Sequence, residues 1–202
     1  LGAVPDFILF RNRDVADSWA VYHSANTAAP ATDYLILDTD AATADDAAWW
    51  NDTAPTSSVF TVTTAHNVNA DAETYIAYLW TEVQGYSKFG SYTGNSSADG
   101  PFIYTGFKPA FLMWKKTNDA DDWGIHDNKR GETTNGNPID KYLRPNENAA
   151  EGDDGDSVDF LSNGFKWRLS SGLRNNSNDT YIYMAFAEQP FVTSGGVPCT
   201  AR

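Results

Sequence analysis

Three histidines and one cysteine are the side chains of this sequence best suited to bind a metal or to act as nucleophiles. They are His23, His66, His126 and Cys199. A zinc site needs several such ligands at short, characteristic spacings, and these four residues do not show them. The G-x-S-x-G segment that exposes a nucleophilic serine in one class of hydrolases is also absent. We therefore predict that the chain is not an enzyme and that it carries no cofactor.

The acidic residues are the second possible source of chemistry. A glycosidase needs two carboxylates at a fixed separation, and no predicted strand holds such a pair. Asp153, Asp154 and Asp156 supply oxygen ligands of the kind that Ca²⁺ prefers, but the glycine and the distal glutamate of an EF-hand loop are misplaced around them. These three residues are calcium candidates, and the alternative, which the spacing favours, is a solvated acidic loop.

Aromatic residues make up 14% of the sequence and suggest contact with carbohydrate. An exposed aromatic ring can stack on a sugar, and a neighbouring Asp or Asn can bind its hydroxyls. The candidates for such a site are Trp49, Trp50, Asn51, Asp52, Tyr92 and Asn95. If one of the two adjacent indoles points into a core, the other should be largely exposed. In the alternative, both indoles are packing residues and bind nothing.

The charge of the chain argues against two classes of partner. The 202 residues carry a formal net charge of −13, with a pI near 4.4. Nucleic acids and anionic membrane surfaces are bound through clustered Lys and Arg, so neither is an expected partner. No apolar run approaches the ~20 residues of a membrane span. Cys199 is the single cysteine and cannot form a disulfide within the chain.

The composition favours strands over helices. Thr, Ser, Asn, Asp, Gly and aromatic residues are abundant, and they suit half-buried sheets and their turns. Short apolar or alternating runs predict strands over residues 6–10, 19–23, 34–37, 59–62, 74–83, 89–92, 102–104, 110–116, 123–126, 141–143, 158–161, 165–169 and 180–188. One helix is predicted over 38–50, with Thr39 or Asp40 as its cap. The runs 74–80 and 180–186 are apolar on both faces, which predicts central strands.

The two halves of the chain resemble one another. Residues 5–10 (PDFILF) match residues 109–114 (PAFLMW) at an offset of 104 positions. Residues 69–82 (NADAETYIAYLWTE) match residues 176–188 (NSNDTYIYMAFAE) at an offset close to 106. Further matches lie between these segments in the same order. This pattern predicts a tandem duplication.

The predicted fold is accordingly two tandem antiparallel β-sandwich modules, jelly-roll or lectin-like, over residues 1–86 and 87–202. The second module begins with two lead-in strands, predicted over 89–92 and 102–104, whereas the first module begins directly at Leu1 without such strands. We expect these residues to be the end of a longer polypeptide, with the missing strands upstream or supplied by a neighbour. The alternative is that the first copy lost them.

With the repeat laid out, several segments resemble a module known from phages. They are GSYTGN (90–95), GFKPAF (106–111), DNKRG (127–131), SNGF (162–165) and TYIYMAFAE (180–188). Together they resemble the repeated C-terminal module of tail-fibre and other virion proteins of tailed phages, especially those of marine bacteria and cyanobacteria. The first copy departs from the pattern, because Ser24-Ala25-Asn26 replaces the Arg-Gly segment. The resemblance implies a lectin-like or SPRY-like β-sandwich on a phage particle.

The resemblance leads to a non-enzymatic virion protein as the expected function. We expect a fibre or adhesin module at the virion surface, which contacts the host and in particular its glycans. Its expected partners are other virion proteins and copies of itself, with a trimer favoured. A capsid decoration or spacer that binds only virion proteins is the main alternative, and a lectin-like domain of a bacterial cell surface is another.

Overall fold

The chain forms three antiparallel β-sheets and three helices of four residues each within residues 1–130 and 136–189, the part that the computed structural model describes. The predicted all-β class is confirmed. Residues 190–202, including Cys199, lie outside the described part. Among the described residues, no helix has the length and apolar character needed to cross a membrane.

The described part of the chain contains thirteen strands and three short helices. In order they are β1 (Phe7–Asn12), β2 (Ala20–His23), β3 (Asp33–Ile36), β4 (Ala44–Asp45), α1 (Ala47–Trp50), α2 (His66–Asn69), β5 (Tyr75–Trp80), β6 (Ser87–Thr93), β7 (Phe102–Tyr104), β8 (Pro109–Lys116), β9 (Trp123–Asp127), β10 (Ile139–Tyr142), β11 (Gly152–Leu161), β12 (Gly164–Trp167), α3 (Gly172–Asn175) and β13 (Thr180–Ala187).

Each sheet takes its strands from one half of the chain. The first sheet has the order β4-β3-β2-β1-β5 and uses strands up to Trp80. The central sheet has the order β6-β13-β8-β9, and the outer sheet has the order β10-β11-β12-β7. Both of these sheets use strands from Ser87 onward.

The three sheets are stacked as layers. Two hydrophobic cores lie between neighbouring sheets, and a third lies on the far side of the first sheet. Between the first and central sheets lie Phe7, Val21, Leu35, Phe89, Met113, Trp123, Ile182 and Met184. Between the central and outer sheets lie Tyr92, Ile103, Leu112, Trp114, Val158, Phe165, Trp167, Tyr183 and Ala185, among others. The far side of the first sheet is covered by α1, α2 and irregular chain, with Ile8, Phe10, Tyr22, Trp49, Trp50 and Val68 in the core. The central sheet is therefore packed on both faces.

The two strands predicted to be central take different places. β13 lies between β6 and β8, and most of its residues are buried, as predicted. β5 has a similar apolar sequence but stands at the end of the first sheet, where Ile76 and Tyr78 are exposed. The prediction for β5 is wrong because an apolar strand becomes central only if a second strand pairs with its other edge.

The strand pairing in the first sheet recurs in the central sheet. Phe7 lies opposite Trp80, and Phe111 lies opposite Phe186, at offsets of 104 and 106 positions respectively. All six residue pairs between β1 and β5 recur between β8 and β13 at these offsets. The four pairs between β1 and β2 likewise recur between β8 and β9 at an offset of 104. The two halves therefore use the same register for these three strands.

The helix predicted over 38–50 is reduced to its last turn. α1 is capped by Asp46, whose carboxylate accepts the backbone N–H of Ala48 at 2.8 Å, and not by Thr39 or Asp40. The backbone before it bonds to another loop, because Asp40 accepts the N–H of Asp121 at 2.8 Å. This hydrogen bond to another loop competes with the intrahelical hydrogen bonds that the alanine-rich composition would otherwise favour.

Two further predictions are wrong: one strand was predicted where none forms, and one loop was predicted where a strand forms. Residues 59–62 are irregular, because they cover the first sheet with apolar side chains and do not pair with another strand. Residues 152–157, which we expected to be a solvated acidic loop, begin the long strand β11. The pairing of Lys141 with Asp153 extends the sheet into this acidic segment.

Two side-chain hydrogen bonds, one of them fully buried, join the first and central sheets. The Nε2 of His23 lies 3.0 Å from the Tyr183 carbonyl, while its Nδ1 lies 3.0 Å from the backbone N–H of Ala25. Because a backbone N–H can only donate, Nδ1 is the acceptor and the proton of the neutral ring is on Nε2. In the opposite direction, the indole N–H of Trp123 donates to the Ile36 carbonyl at 2.9 Å. Each sheet thus satisfies a carbonyl of the other.

The buried His23 should make the stability of the fold depend on pH. Burial lowers its pKa from 6.5 to about 4. As the pH falls through this window, the unfolded chain binds a proton that the folded chain still excludes, so the folded state loses stability. His23→Gln retains an N–H donor but does not titrate. Between about pH 7 and about pH 4.5, urea unfolding should show that wild type loses about 2 kcal/mol more than this variant. Parallel pH profiles for the two proteins would contradict the assignment.

Candidate functional site

Trp49 and Trp50 are both core residues. Their exposed fractions are 5% and 3%, so the expectation that one indole is largely exposed is wrong. Trp49 stacks on Tyr34 with ring centroids 3.7 Å apart, and the indole N–H of Trp50 donates to the Asp33 carbonyl at 3.0 Å. The helix that carries them lies on the first sheet, and residues 60–65 pack against the same core. Neither indole therefore presents a face to solvent.

Asn51 and Asp52 are exposed and end the α1 turn. Both have a left-handed backbone, with φ of 56° and 47°. The backbone N–H of Asn51 donates to the Ala47 carbonyl at 3.0 Å and closes the helix. Asn is among the few residues that adopt this conformation readily, which explains its place here. With both neighbouring indoles buried, these two side chains flank no exposed ring of that pair.

Tyr92 and Asn95 are likewise explained by the fold. Tyr92 is buried between the central and outer sheets, where it stacks on Tyr181 and donates to the Arg174 carbonyl at 2.9 Å. Asn95 is exposed, and its side-chain oxygen accepts the backbone N–H of Ser97 at 3.0 Å within the turn. Tyr92 and the Trp49–Trp50 pair belong to different cores, so the structure does not bring the six predicted residues together.

The calcium candidates do not converge on a common point. Asp153 pairs with Lys141, whose Nζ lies 2.6 Å away, and Asp154 pairs with Arg174. Successive residues of a strand point to opposite faces of the sheet, and both acids lie on β11. The side chain of Asp156 lies outside the described part. Within the described residues, no three His, Cys, Asp or Glu side chains are grouped to hold a metal ion.

Arg174 forms the centre of a buried polar network that the sequence analysis did not predict. It lies in α3, is fully buried and is enclosed by the rings of Tyr142, Trp114 and Trp167, with its guanidinium carbon 4.6, 5.3 and 5.9 Å from their centroids. Its guanidinium donates to the Asp154 carboxylate and to the Ser157 hydroxyl. The aromatic rings and this ion pair offset the cost of burying a charge.

A serine and a histidine meet in the same network but cannot act as a nucleophile and its base in this arrangement. The Nε2 of His126 lies 3.2 Å from the hydroxyl of Ser157, which also accepts a hydrogen bond from Arg174. The indole N–H of Trp114 donates to Nδ1 of His126 at 3.2 Å, which places the proton of the neutral ring on Nε2. That nitrogen therefore donates to Ser157, whereas a general base must accept.

The electrostatics of the network agree with this structural role. Burial and then the neighbouring Arg174 hold the pKa of His126 well below its usual value, so the ring stays neutral at physiological pH. His126 and Ser157 are both fully buried. A substrate would have to open the core between the central and outer sheets to reach them.

Removing the carboxylate that pairs with the buried Arg174 should cost more than breaking an exposed ion pair. Asp154→Ala leaves the fully buried guanidinium of Arg174 without its counter-charge, and we expect it to lower the free energy of unfolding by about 3 to 5 kcal/mol. Arg168, which is 45% exposed and lies 3.6 Å from Asp159, is the matched control. Arg168→Met should change stability by less than about 0.5 kcal/mol. Urea denaturation of the two variants tests this, and equal losses would show that the network is not important for stability.

Among the described residues, the two aromatic side chains with the highest exposed fractions lie elsewhere, on strand β7 at the end of the outer sheet. Phe102 is 46% exposed and Tyr104 is 64% exposed, while Ile103 between them points into the core. A strand places alternate residues on one face, so the two rings share the solvent face of the sheet. The sequence predicted this strand and its alternation, but it did not show which of the two faces would be covered.

Charged side chains flank these two rings. Lys166 lies opposite Phe102 on β12 and forms an ion pair with Asp99. The hydrogen bond and charge of Lys166 hold the pKa of Asp99 below its usual range, so this carboxylate is ionised at neutral pH. We call Phe102, Tyr104, Asp99 and Lys166 the β7 aromatic patch.

A buried glycine, Gly164, lies opposite Tyr104 on the neighbouring strand. A side chain at Gly164 would meet the Ile103 carbonyl at 2.1 Å and the Phe102 ring at 3.0 Å. The glycine thus allows the two strands and the Phe102 ring to approach closely. The result is an apolar surface bordered by an ammonium group and a carboxylate, which suits a ligand with both apolar faces and hydroxyl groups.

Comparison with known proteins gives one family. None of the curated proteins and none of the solved structures that were compared with the chain matches it. A model of the family described as "Domain of unknown function (DUF7483)" matches residues 1–190, which is nearly the whole sequence. The chain therefore belongs to the DUF7483 family.

Proposed function

We propose that this chain is a non-enzymatic module of a phage virion protein, of the fibre or adhesin type, that contacts host-surface carbohydrate through the β7 aromatic patch. The observation that carries the proposal is the pair of exposed rings of Phe102 and Tyr104 beside the ionised Asp99 and Lys166. The placement on a virion rests on the resemblance of segments such as GFKPAF and TYIYMAFAE to phage virion modules.

The chemistry of the patch supports carbohydrate over a purely apolar ligand. Two rings on alternate residues of one strand stand about 7 Å apart, which gives an extended apolar strip and not a single pocket. Asp99 accepts and Lys166 donates hydrogen bonds, so both kinds of sugar hydroxyl contact have a partner. The net charge of −13 does not oppose such a ligand, because a neutral glycan is not repelled.

We also propose that the two halves, residues 1–86 and 87–202, are copies of one β-sandwich module of the lectin-like or SPRY-like kind. The shared register of β1, β2 and β5 with β8, β9 and β13 supports this. A further parallel comes from the turns. The hydroxyl of Tyr75 donates to the His66 carbonyl in the first half, and that of Tyr181 donates to the Gly172 carbonyl in the second.

A structural spacer or capsid decoration protein that binds only other virion proteins is the second candidate function. The observation that favours it is the exposed apolar edge of β5, where Ile76 and Tyr78 are 37% and 43% exposed. Exposed apolar sheet edges are typical sites of association with another chain. A homo-oligomer, such as the trimer common among fibres, fits either candidate.

Binding to host material should depend on the two rings. The labelled protein should bind intact host cells and their extracted surface polysaccharide saturably, and Phe102→Ala with Tyr104→Ala should weaken this binding at least about tenfold. Tyr78→Ala is the matched control, because it removes an exposed aromatic side chain from the other sheet edge. It should leave the affinity unchanged.

The folded state of each variant is checked by its urea midpoint. If the correctly folded wild-type protein does not bind, or if the double variant binds as well as wild type, then the adhesin proposal for this patch is wrong. Binding of the same protein to other virion proteins in place of polysaccharide would favour the spacer function.

A further inference from the structure

Strand β5 has one paired edge and one edge without a strand among the described residues. It pairs with β1 along its whole length and ends the first sheet. The backbone N–H of Arg13 donates to the Thr74 carbonyl at 2.9 Å. Because backbone groups in an antiparallel strand alternate between its two edges, Ile76, Tyr78 and Trp80 also bond toward β1. The N–H and C=O groups of Tyr75, Ala77 and Leu79 therefore point to the free edge.

The corresponding strand of the second half shows what this edge can hold. β13 pairs with β8 on one side, in the same register as β5 with β1, and with β6 on the other. Gly94 donates its N–H to the Asp179 carbonyl at 3.0 Å, and Ala187 donates to the Tyr86 carbonyl at 2.8 Å. The odd-numbered residues of β13 thus bond to β6. At the offset of 106 positions, they correspond to the residues of β5 whose backbone groups point outward.

The exposed fractions of the side chains also differ between β5 and β13. Ile76 and Tyr78, on the face toward the central sheet, are 37% and 43% exposed. Their counterparts Ile182 and Met184 are 1% and 7% exposed, and Phe89 of β6 lies opposite Met184 in the same core. An added strand with a bulky apolar residue opposite Tyr78 would cover β5 in the same way.

Nothing in β5 prevents such pairing. Protected edge strands carry a lysine, a proline or a bulge that blocks a further strand. The sequence of β5, YIAYLW, has no charged residue and no proline, and its register with β1 is continuous over six pairs. The strand is regular in its register, uncharged and partly exposed, which is the form of an edge that accepts a partner.

A second copy of the chain is a poorer fit than a different peptide. If two β5 strands paired antiparallel about Ala77, Glu73 of each copy would lie beside Thr81 and Glu82 of the other. Glu73 of one copy and Glu82 of the other would then be neighbours at both ends of the strand pair, and their repulsion disfavours it. Each chain also carries a net charge of −13. A strand with a neutral or basic end avoids this repulsion.

We propose that the free edge of β5 binds an added β-strand of the β6 type by strand addition. The bound segment is an extended peptide that runs antiparallel to β5, carries a bulky apolar residue opposite Tyr78 and has a basic or neutral flank. Its backbone bonds to Tyr75, Ala77 and Leu79, and its apolar residue covers Ile76 and Tyr78. The site is independent of the β7 aromatic patch.

Amide hydrogen exchange, measured residue by residue with the full chain, tests this directly. The probe is a synthetic peptide with the sequence of residues 87–94, SKFGSYTG. In the free chain the Ala77 and Leu79 amides should exchange fast, and saturating peptide should slow them at least about tenfold. The Ile76 and Tyr78 amides, which already bond to β1, serve as internal controls and should be slow throughout.

Two variants make the test specific. Tyr78→Lys removes the apolar contact from the edge, and it should abolish the protection by peptide while the slow exchange of Ile8 shows that the core is intact. Phe102→Lys changes an exposed aromatic residue on the other sheet edge and should leave peptide protection unchanged. A peptide with Lys in place of its phenylalanine should also fail to protect.

Three results would overturn the proposal. The first is unchanged exchange at Ala77 and Leu79 at the highest soluble peptide concentration. The second is slow exchange of these amides in a free chain that sedimentation shows to be monomeric, because other residues of the same chain would then occupy the edge. The third is protection that appears without peptide and only as a dimer forms, which would assign the edge to a second copy.

Discussion

The central sheet is covered on both faces, and the rest of the structure depends on this burial. Residues such as Ile182 face the first sheet and residues such as Ala185 face the outer sheet, and both are almost fully buried. A sheet in this position has no face for water, so its strands need apolar residues at successive positions. β13, with its run of tyrosine, isoleucine and methionine, meets this need. The outer sheet is packed against the central sheet on one face, whereas the first sheet is also covered on its far face by α1, α2 and irregular chain.

Burial on both faces also explains the polar groups in the interior. Lys115 is fully buried on β8, and its ammonium group donates to the Lys116 carbonyl at 2.6 Å. Burial lowers the pKa of Lys115 to about 8, against the opposing effect of nearby carboxylates such as Asp121. Lys115 is buried because the alternation of β8 directs its side chain inward. As for Arg174 among its aromatic rings, local partners reduce the cost of burying the charge. Lys115 and Arg174 thus both have hydrogen-bond partners within the fold.

The edge strands β7 and β5 expose different kinds of group. β7 ends the outer sheet with two exposed rings next to an ion pair, which suits a hydroxylated ligand on a solvent face. β5 ends the first sheet with an uncharged strand and outward-pointing backbone groups, which suits another strand. One end thus offers side chains and the other offers backbone.

The sequence by itself determined the β class, most strand positions and the offset at which segments of the two halves match, because alternation, turn residues and the order of matched segments are local properties of the chain. The alignment of Phe7 with Phe111 even anticipated the register of β1 in the first sheet and β8 in the central sheet. Only the tertiary structure decided which side of each strand is covered. It buried Trp49 and Trp50, exposed Phe102 and Tyr104, and left β5 at an edge, although its apolar pattern resembles that of the central strand β13. The physical reason is that burial depends on which elements pack from a distance along the chain, and the local pattern fixes only which residues share a face.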